Sequence, residues 1–269
     1  MRLRFLGTGV SSGVPAIGCS CAVCTSTDPR DNRLRTSAAL EFTDPAGVER
    51  VILIDASPDL RQQALRASLQ RVDAILITHN HVDHIFGLDE VRRFNLVMGA
   101  PIDVHADAHT HESLRRVYRH IFEPERSVQR SFVASLNPRE AKPLEPFDLF
   151  GLTVTPVPLL HGKLPILGYR FDHPDAPGAL PLAYCTDVSD IPHETRPHLG
   201  GLSTLVLGAL RHKPHPTHFN IEQATAEAQR IGAERTYFVH MAHDVSHAQT
   251  SAALPEGVAL AHDGLVLGP

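Results

Sequence analysis

The chain has 269 residues, of which 42% are hydrophobic, and a formal net charge of −5 at pH 7. This length can bury a large core, as one large domain or as two small ones. The mild acidity gives no general attraction to nucleic-acid phosphates and argues against a nucleic-acid partner. No run of about 18 apolar residues occurs, so we expect no membrane span. Glycine interrupts MRLRFLGTGV too early for a signal peptide.

Histidine and cysteine are the informative residue types. The chain has 18 histidines against 4 tyrosines and no tryptophan, which favours a metalloprotein because imidazole is the commonest metal ligand. Three of the 4 cysteines lie in GCSCAVC, residues 18 to 24. This clustering is unlike a secreted disulfide framework and is typical of metal or redox sites in a reducing cytosol. We therefore expect a cytoplasmic protein.

The first half of the chain predicts strands that alternate with helices. LRFLGTG predicts a strand that ends on glycines, and AALEF and VILIDAS predict a hairpin around the turn DPAG. Ser57 as N-cap with Pro58 at the first helical position predicts the start of a helix. VDAILITH predicts a buried strand and GLDEVRRFN a helix. IDVHAD then predicts a strand, and THESLRRVYRHIF a helix.

The second half predicts mostly strands. The stretch 123–147 is polar and contains several prolines, which favours a surface loop with short strands. Four strands follow in LTVTPVPLLH, LGYRF, PLAYCTD and TLVLGAL. Asn220 and Gln223 form a capping-box pattern for a helix, RTYFVHM predicts a strand, and VALAHDGLVLG predicts a hairpin on an Asp-Gly turn. No linker or repeat divides the chain, so we predict one domain over residues 1–269, with two sheets and outer helices.

The strongest functional signal is THNHVDH, residues 78 to 84. His79, His81 and Asp83 alternate, so an extended backbone directs all three side chains to one side. His84 breaks the alternation at the start of a helix and can face the same pocket from another angle. Imidazoles and a carboxylate after a buried strand suit zinc, manganese or iron.

One motif cannot complete the coordination of two metals, so further ligands are expected at other strand ends. His161, Asp187 and His240 each end a predicted strand. We expect two ligand sets with one aspartate bridging them; they are His79, His81 and His161 for one metal and Asp83, His84 and His240 for the other. Spacing alone does not choose between Asp187 and Asp190 as the bridge. Asp55 also ends a strand and is expected to accept a hydrogen bond from a ligand imidazole.

These motifs resemble a known family. FLGTG, THNHVDH and the later strand-end His, Asp and His, in that order, look like the metallo-β-lactamase superfamily. GCSCAVC narrows the resemblance to the PhnP-like branch, cyclic phosphodiesterases of phosphonate breakdown with a C-x-C-x-x-C zinc site. The resemblance implies an α/β fold, an αβ/βα sandwich of two mixed sheets flanked by helices. It also implies two divalent metals, manganese or zinc, with Asp187 as the bridge.

The resemblance further implies a reaction. Two metals lower the pKa of a shared water and hold the hydroxide for attack on a small, possibly cyclic, phosphodiester. PhnP-like enzymes place a non-ligand histidine at the position of His218 in PTHFN, which favours a general-acid role for it, with Asp187 the other catalytic residue. The resemblance also implies a homodimer. The segment IFGLDEVRRFN departs from the phosphonate-pathway enzyme, so a cyclic ribosyl substrate stays open.

Other polar residues near these motifs receive weaker interpretations. Lys163, two residues after His161, either contacts substrate phosphate or is solvated. Two sets of histidines are interpreted as less informative than His218: the surface cluster His105, His109, His111 and His120, and the neighbours His212 and His215.

Three hypotheses compete for the cysteines. A redox pair of Cys21 and Cys24 leaves Cys19 unexplained. An iron–sulfur cluster usually needs four thiolates, and Cys185 lies two residues before Asp187, which would draw the cluster into the hydrolytic centre. A tetrahedral zinc site needs one histidine, and PhnP-like chains use the histidine at the position of His243. The structural zinc site is thus predicted as Cys19, Cys21, Cys24 and His243, with Cys185 a buried thiol.

Three other functions compete with that of a small-molecule phosphodiesterase. A transfer-RNA 3′-processing endonuclease is disfavoured by the acidic charge, by the lack of a long basic arm and by THFN in place of a His-Glu-Ala-Thr motif. A thioester hydrolase leaves the cysteine motif unexplained. A PqqB-like accessory protein shares a similar cysteine motif, but those relatives tend to lack the full ligand set that this chain keeps.

Overall fold

The computed structural model describes residues 1–123, 132–173 and 179–268. Within these ranges fourteen strands form two seven-stranded sheets, with strand orders β14-β1-β2-β3-β4-β5-β6 and β13-β12-β11-β10-β9-β8-β7. The first seven strands in chain order are β1 Arg2–Gly7, β2 Ser37–Thr43, β3 Glu49–Ile54, β4 Ala74–Leu76, β5 Ile102–Ala106, β6 Leu136–Glu140 and β7 Phe147–Leu149. The remaining strands are β8 Leu152–His161, β9 Leu164–Asp172, β10 Leu182–Cys185, β11 Thr204–Gly208, β12 Arg235–Val239, β13 Val258–Leu260 and β14 Val266–Leu267.

The helices cover the outer faces of the two sheets. They are α1 Leu60–Ala67, α2 Val82–Ile85, α3 Arg92–Met98, α4 Ala108–Val117, α5 Arg119–Phe122, α6 Ile221–Ile231 and α7 His247–Ala253. Residues of α1, α3 and α4 pack on the first sheet, and residues of α6 pack on the second. This layering is the predicted αβ/βα sandwich, which is confirmed. Among the described helices, none has the length and apolarity needed to cross a bilayer.

The central core lies between the two sheets. In β2, Leu40 faces this core while Ala39 faces the outer helices, and in β3 Ile52 and Leu53 divide in the same way. Both faces of these strands are therefore apolar, because helices cover the side that would otherwise meet water. The near-continuous apolar run VILI follows directly from this double burial.

Two local predictions are confirmed and one is wrong. Strands β2 and β3 pair antiparallel with Leu40 opposite Ile52. The capping box of α6 is complete, because Asn220 accepts from the Gln223 backbone at 2.8 Å and Gln223 accepts from the Asn220 backbone at 3.0 Å. Helix α1 begins later than predicted: its first residue is Leu60 and its N-cap position is Asp59, not Ser57. The Ser57 hydroxyl still makes the kind of bond that an N-cap makes, since it accepts from the Asp59 backbone at 3.2 Å, and it donates to Gln63 at 3.0 Å.

The predicted C-terminal hairpin is also wrong. Strand β13 pairs parallel with β12, whereas β14 pairs antiparallel with β1 in the other sheet. The Asp-Gly turn therefore carries the chain from one sheet to the other. Asp263 fixes this crossing, since it accepts from the Thr8 hydroxyl and from the Leu34 backbone, both at 2.8 Å. Of the predicted loop 123–147, residues 124–131 lie outside the described residues, and the rest holds β6 and β7.

Two buried tyrosines of the second sheet allow a matched test of the sandwich. Tyr169 donates its hydroxyl across the core to the Ile77 carbonyl at 2.8 Å, whereas the Tyr184 hydroxyl has no partner in the described part of the chain. We expect Tyr169→Phe to lower the free energy of unfolding by about 1–2 kcal/mol, since it leaves a buried carbonyl unpaired. Tyr184→Phe should be neutral or stabilising. Urea denaturation measures both, and equal losses would contradict the assignment.

Candidate metal centre

Strand ends from both sheets meet at one edge of the sandwich. The first sheet supplies the loop after β4, with the motif of residues 78–84, and the second supplies the ends of β8, β10 and β12. Three residues at this edge have left-handed backbone: Asp55 (φ 59°), which follows β3, Asp187 (φ 55°) and His240 (φ 61°). Asp and His are among the non-glycine residues that adopt this region most readily, and clusters of such residues mark functional sites.

The predicted ligands form two groups that share one residue. In each group the ligand atoms lie within 4.8 Å of one another; the groups are His79, His81, His161 and Asp187, and Asp83, His84, Asp187 and His240. Asp187 Oδ2 lies 3.8 Å from His79 Nε2, and Asp187 Oδ1 lies 3.4 Å from His84 Nε2. Asp190 belongs to neither group; its backbone carbonyl accepts from Leu160 at 3.0 Å. The geometry thus places Asp187, and not Asp190, between the two groups.

The donor atoms fit divalent cations. The Nε2 atoms of His79, His84 and His240 are buried and make no hydrogen bond among the described residues, although buried polar atoms are nearly always paired. His84 Nε2 lies 3.3 Å from Asp83 Oδ2 and 3.4 Å from Asp187 Oδ1. Ligand atoms about 2.1 Å from a tetrahedral cation are about 3.4 Å apart, so these gaps have the spacing of a coordination shell.

Neighbouring groups orient the imidazoles. His84 Nδ1 lies 2.7 Å from Asp55 Oδ2, and Asp55 is fully buried and accepts from the backbone and hydroxyl of Thr78 at 2.8 and 2.9 Å. His161 Nδ1 lies 2.7 Å from the Thr217 carbonyl. A carbonyl only accepts, so His161 Nδ1 carries the proton and Nε2 is free to bind a metal. Asp55 makes the contact that the sequence predicted.

The titration of these groups shows a site that attracts positive charge. Burial lowers the pKa of His79 well below its usual value, which favours the neutral, ligating form. Burial opposes ionisation of Asp187, but His240 and His84 outweigh it and hold the pKa of Asp187 well below its usual value. Burial lowers the pKa of His84, yet Asp187 and Asp55 prevail and raise it well above normal. Ionised carboxylates in a buried site require a cation among them.

A cavity of about 680 Å³ opens beside these groups. It is lined by Ser11, Asn80, His81, Val82, Asp83, His109, His161, Leu164, Asp187, His218 and His240. The His218 ring lies 4.4 Å from the His161 ring and 4.9 Å from the His240 ring, measured between centroids. His218 therefore lies at the place where the sequence put a general acid. Burial lowers the pKa of His218 to about 3.

The predicted surface histidines divide into three environments. His105 and His111 are buried, which corrects the prediction: His105 stacks on Phe147 at 4.7 Å, and His111 Nε2 lies 2.8 Å from the Arg139 carbonyl. His120 is exposed, as predicted.

His109 is exposed, as predicted, but it also lines the cavity, which the sequence did not predict. The available signal was its position just after β5, whose carboxyl end lies at the same sheet edge as that of β4. Lys163 is exposed and is not among the cavity-lining residues, which favours the solvated interpretation.

The cysteine cluster lies beside this centre. The ligand atoms of Cys19, Cys21, Cys24 and His243 are within 4.8 Å of one another. His243 Nδ1 lies 3.2 Å from Cys19 Sγ and 3.4 Å from Cys21 Sγ. Three thiols and one imidazole at this spacing fit tetrahedral zinc. Cys185 is buried elsewhere and burial raises its pKa to about 12, so it stays a protonated thiol outside the cluster.

Comparisons with known proteins agree with this geometry. A family model described as "Beta-lactamase superfamily domain" matches residues 50–241. An octanoyltransferase of Porphyromonas gingivalis is 38% identical over 267 residues, 98% of this chain and 51% of that protein. Coenzyme PQQ synthesis protein B of Methylobacterium nodulans is 31% identical over 177 residues, 62% of this chain and 54% of that protein. The chain thus spans about half the length of these curated relatives.

Solved structures show the same fold. A diphosphatase from the PhnP family aligns with a TM-score of 0.86 and 42% identity, covering 99% of this chain and 96% of that one. Zinc-bound PqqB from Methylobacterium extorquens aligns with a TM-score of 0.76, 22% identity and 99% coverage of both chains. Human short-form tRNase Z aligns with a TM-score of 0.69 and 20% identity, covering 99% of this chain and 98% of that one.

The chain belongs to the metallo-β-lactamase superfamily, the hydrolase class that its sandwich fold and its two His/Asp groups define. Within that superfamily it is PhnP-like, since the similarity to the PhnP-family diphosphatase extends over nearly the whole of both chains.

The cysteine cluster gives a test of the zinc prediction. Cys21 contacts both the ring and the backbone carbonyl of His243. We expect Cys21→Ser to remove about one zinc per chain and to lower the Tm, because structural zinc contributes folding free energy directly. Elemental analysis and thermal unfolding measure the two effects. Cys185→Ala is the control and should keep the full zinc content. A Cys21→Ser protein with wild-type zinc content and Tm would refute the structural site.

Proposed function

We propose that this protein is a metal-dependent hydrolase of small phosphodiesters. The observation that carries the proposal is the Asp187 carboxylate, which lies within 3.8 Å of histidines from both ligand groups; this position supports a centre of two metals. The donor set of imidazoles and carboxylates is compatible with either manganese or zinc. Two such cations, when bound, would activate a water and neutralise charge on the phosphoryl oxygens.

In the proposed reaction the bonds and protons balance without a co-reactant. A water oxygen gives up one proton and forms the new bond to phosphorus, while the bond from phosphorus to the leaving oxygen breaks. The leaving oxygen takes up a proton, so the products are a phosphomonoester and an alcohol. Cations held by the two ligand groups would bind the phosphate. His218, which lines the cavity beside His161 and His240, is the proposed neighbour of the leaving oxygen.

His218 is the proposed proton donor. In the free protein its ring is neutral at pH 7, because burial lowers its pKa to about 3. A bound phosphodiester brings a negative charge next to the ring, and a nearby negative charge favours the protonated form of histidine. The ring then donates to the leaving alkoxide as the bond to phosphorus breaks, which is general-acid catalysis.

Hydrolysis of a diphosphate is a second candidate. The 42% identical structure is a diphosphatase, and its phosphoanhydride presents the same reacting unit, a phosphorus atom with an oxygen leaving group. The same ligand groups and His218 would serve this reaction. The two substrates therefore differ in their leaving groups: the leaving oxygen is bonded to carbon in the phosphodiester and to a second phosphorus in the diphosphate.

The rival functions receive less support. Among the described residues the cavity is lined by no lysine, arginine or cysteine. A nuclease site is expected to hold cations for the nucleic-acid backbone. A thioester hydrolase would leave the cysteine cluster unexplained. The Porphyromonas relative is named an octanoyltransferase, but the match covers only 51% of that protein. A PqqB-like accessory role would give the complete set of metal ligands no function. Assembly as a homodimer and a cytoplasmic location remain predictions.

The ligand groups give the primary test. With manganese or zinc added, the wild-type protein should hydrolyse bis(p-nitrophenyl) phosphate in a spectrophotometric assay. We expect Asp187→Ala and His79→Ala to lower kcat/KM by about 1000-fold or more, because metal stabilisation of the transition state is worth several kcal/mol. The exposed Lys163→Ala serves as the control and should keep full activity. Phosphodiesterase activity that survives loss of Asp187 would refute the mechanism.

The role of His218 is tested by varying the leaving group. A methyl p-nitrophenyl ester releases p-nitrophenolate, which needs little protonation, whereas a dialkyl ester releases a strongly basic alkoxide. We expect His218→Ala to lower kcat by about 100-fold on the dialkyl ester and by less than about 5-fold on the p-nitrophenyl ester. Metal content should stay unchanged. Equal losses on both esters would show that His218 is not the proton donor.

A further inference from the structure

We propose that Asn80, His109 and Ser11, which line the cavity, form a hydrogen-bonding subsite without lysine or arginine at the cavity mouth, with the Ser113 hydroxyl holding the Asn80 amide in place. This subsite binds a neutral, hydroxyl-bearing group of the substrate and disfavours a second phosphate at the same place. The inference rests on the proposed phosphodiesterase function and adds to it the part of the substrate that does not react. The sequence predicts no role for Asn80, Ser11 or Ser113, and it predicts a surface position for His109.

An ordered group of side chains joins the metal motif to helix α4. Asn80, between the ligands of the motif, donates its amide to the Ser113 hydroxyl at 2.8 Å, and its Nδ2 lies 3.4 Å from His109 Nε2. His109 and Ser113 are four residues apart in α4 and therefore share one face of the helix. Asp107 caps this helix by accepting from the Thr110 backbone at 2.7 Å, so the first turn is fixed.

These residues keep free hydrogen-bonding capacity. With both amide hydrogens of Asn80 directed at α4, its side-chain oxygen has no partner in the described ranges. The Ser11 hydroxyl likewise makes no hydrogen bond to any described residue, although its backbone carbonyl accepts from Arg35 at 3.0 Å. The subsite thus offers a free acceptor and free hydroxyl donors, which is the combination that an alcohol needs, since a hydroxyl both donates and accepts.

The same surface holds no positive charge for a phosphate. No lysine or arginine is among the described residues that line the cavity. Arg35, which contacts the Ser11 backbone, is paired with Asp59 at 2.9 Å and does not line the cavity. A phosphate at the mouth would lose hydration without gaining a cation, which is costly. Val82 and Leu164 supply apolar surface for the carbon skeleton of a neutral group.

The test uses three esters with a common leaving group. Each is a p-nitrophenyl phosphodiester whose second alcohol is propanol, glycerol or 2-phosphoethanol. For the wild-type protein we expect kcat/KM on the glycerol ester to exceed that on the propyl ester by about tenfold, the effect of one or two hydrogen bonds. The phosphoethyl ester should be the poorest substrate.

Two variants of His109 separate recognition from chemistry. His109→Ala should raise KM for the glycerol ester with little change in kcat, so that the preference of about tenfold for the glycerol ester over the propyl ester is lost. His109→Lys should raise kcat/KM on the phosphoethyl ester by about tenfold, because it adds the missing cation. The control is His120→Ala, an exposed histidine on α5 outside the cavity, which should change none of the three rates.

The outcomes distinguish the subsite from the proposed function. An active wild-type protein whose ester preferences are unchanged in both His109 variants would overturn the subsite and leave the phosphodiesterase function intact. A wild-type protein that hydrolyses none of the three esters with manganese or zinc would overturn the proposed function, and the subsite with it.

Discussion

Compensation of buried negative charge is the constraint on which the rest of the structure depends. Asp55, Asp83 and Asp187 have exposed fractions of 0%, 6% and 2%, and an isolated buried carboxylate costs several kcal/mol. The raised pKa of His84 offsets part of this negative charge. Burial, by contrast, keeps a ring such as His79 neutral. Cations bound between the carboxylates and imidazoles would offset the cost, so the fold and the metal affinity follow from the same electrostatic requirement.

The centre cannot form in either sheet alone. The first sheet contributes the motif after β4, and the second contributes His161, Asp187 and His240. The contact between the halves is specific: the Leu167 backbone donates to the Thr78 carbonyl at 2.9 Å, one residue before His79. Packing of the two sheets thus sets the spacing of the ligand groups to within a few ångströms, and assembly of the site is coupled to closure of the core.

The sequence predicts those features of the structure that depend on a local residue pattern. It predicts poorly those that depend on contacts between distant segments of the chain. The alternation in THNHVDH places its ligands, because strand periodicity is a local property. Choosing Asp187 over Asp190 and finding His243 required the resemblance to a family. The hairpin at Asp263 is wrong because an Asp-Gly pair specifies a chain reversal and not its strand partners. His109 was missed because its role depends on where α4 packs, a tertiary fact that no local pattern carries.

The cysteine site acts on the metal centre through the short segment from His240 to His243. Met241 donates to the Thr8 carbonyl at 3.0 Å, and Val10 donates back to the Met241 carbonyl at 3.1 Å. These bonds lock the N-terminal loop, which carries Ser11, against the residue that follows the left-handed His240. Zinc held by the three cysteines and His243 would pin the far end of the same segment. A zinc ion in the thiol cluster would therefore brace the segment that carries His240 and the loop that carries Ser11, both of which line the cavity.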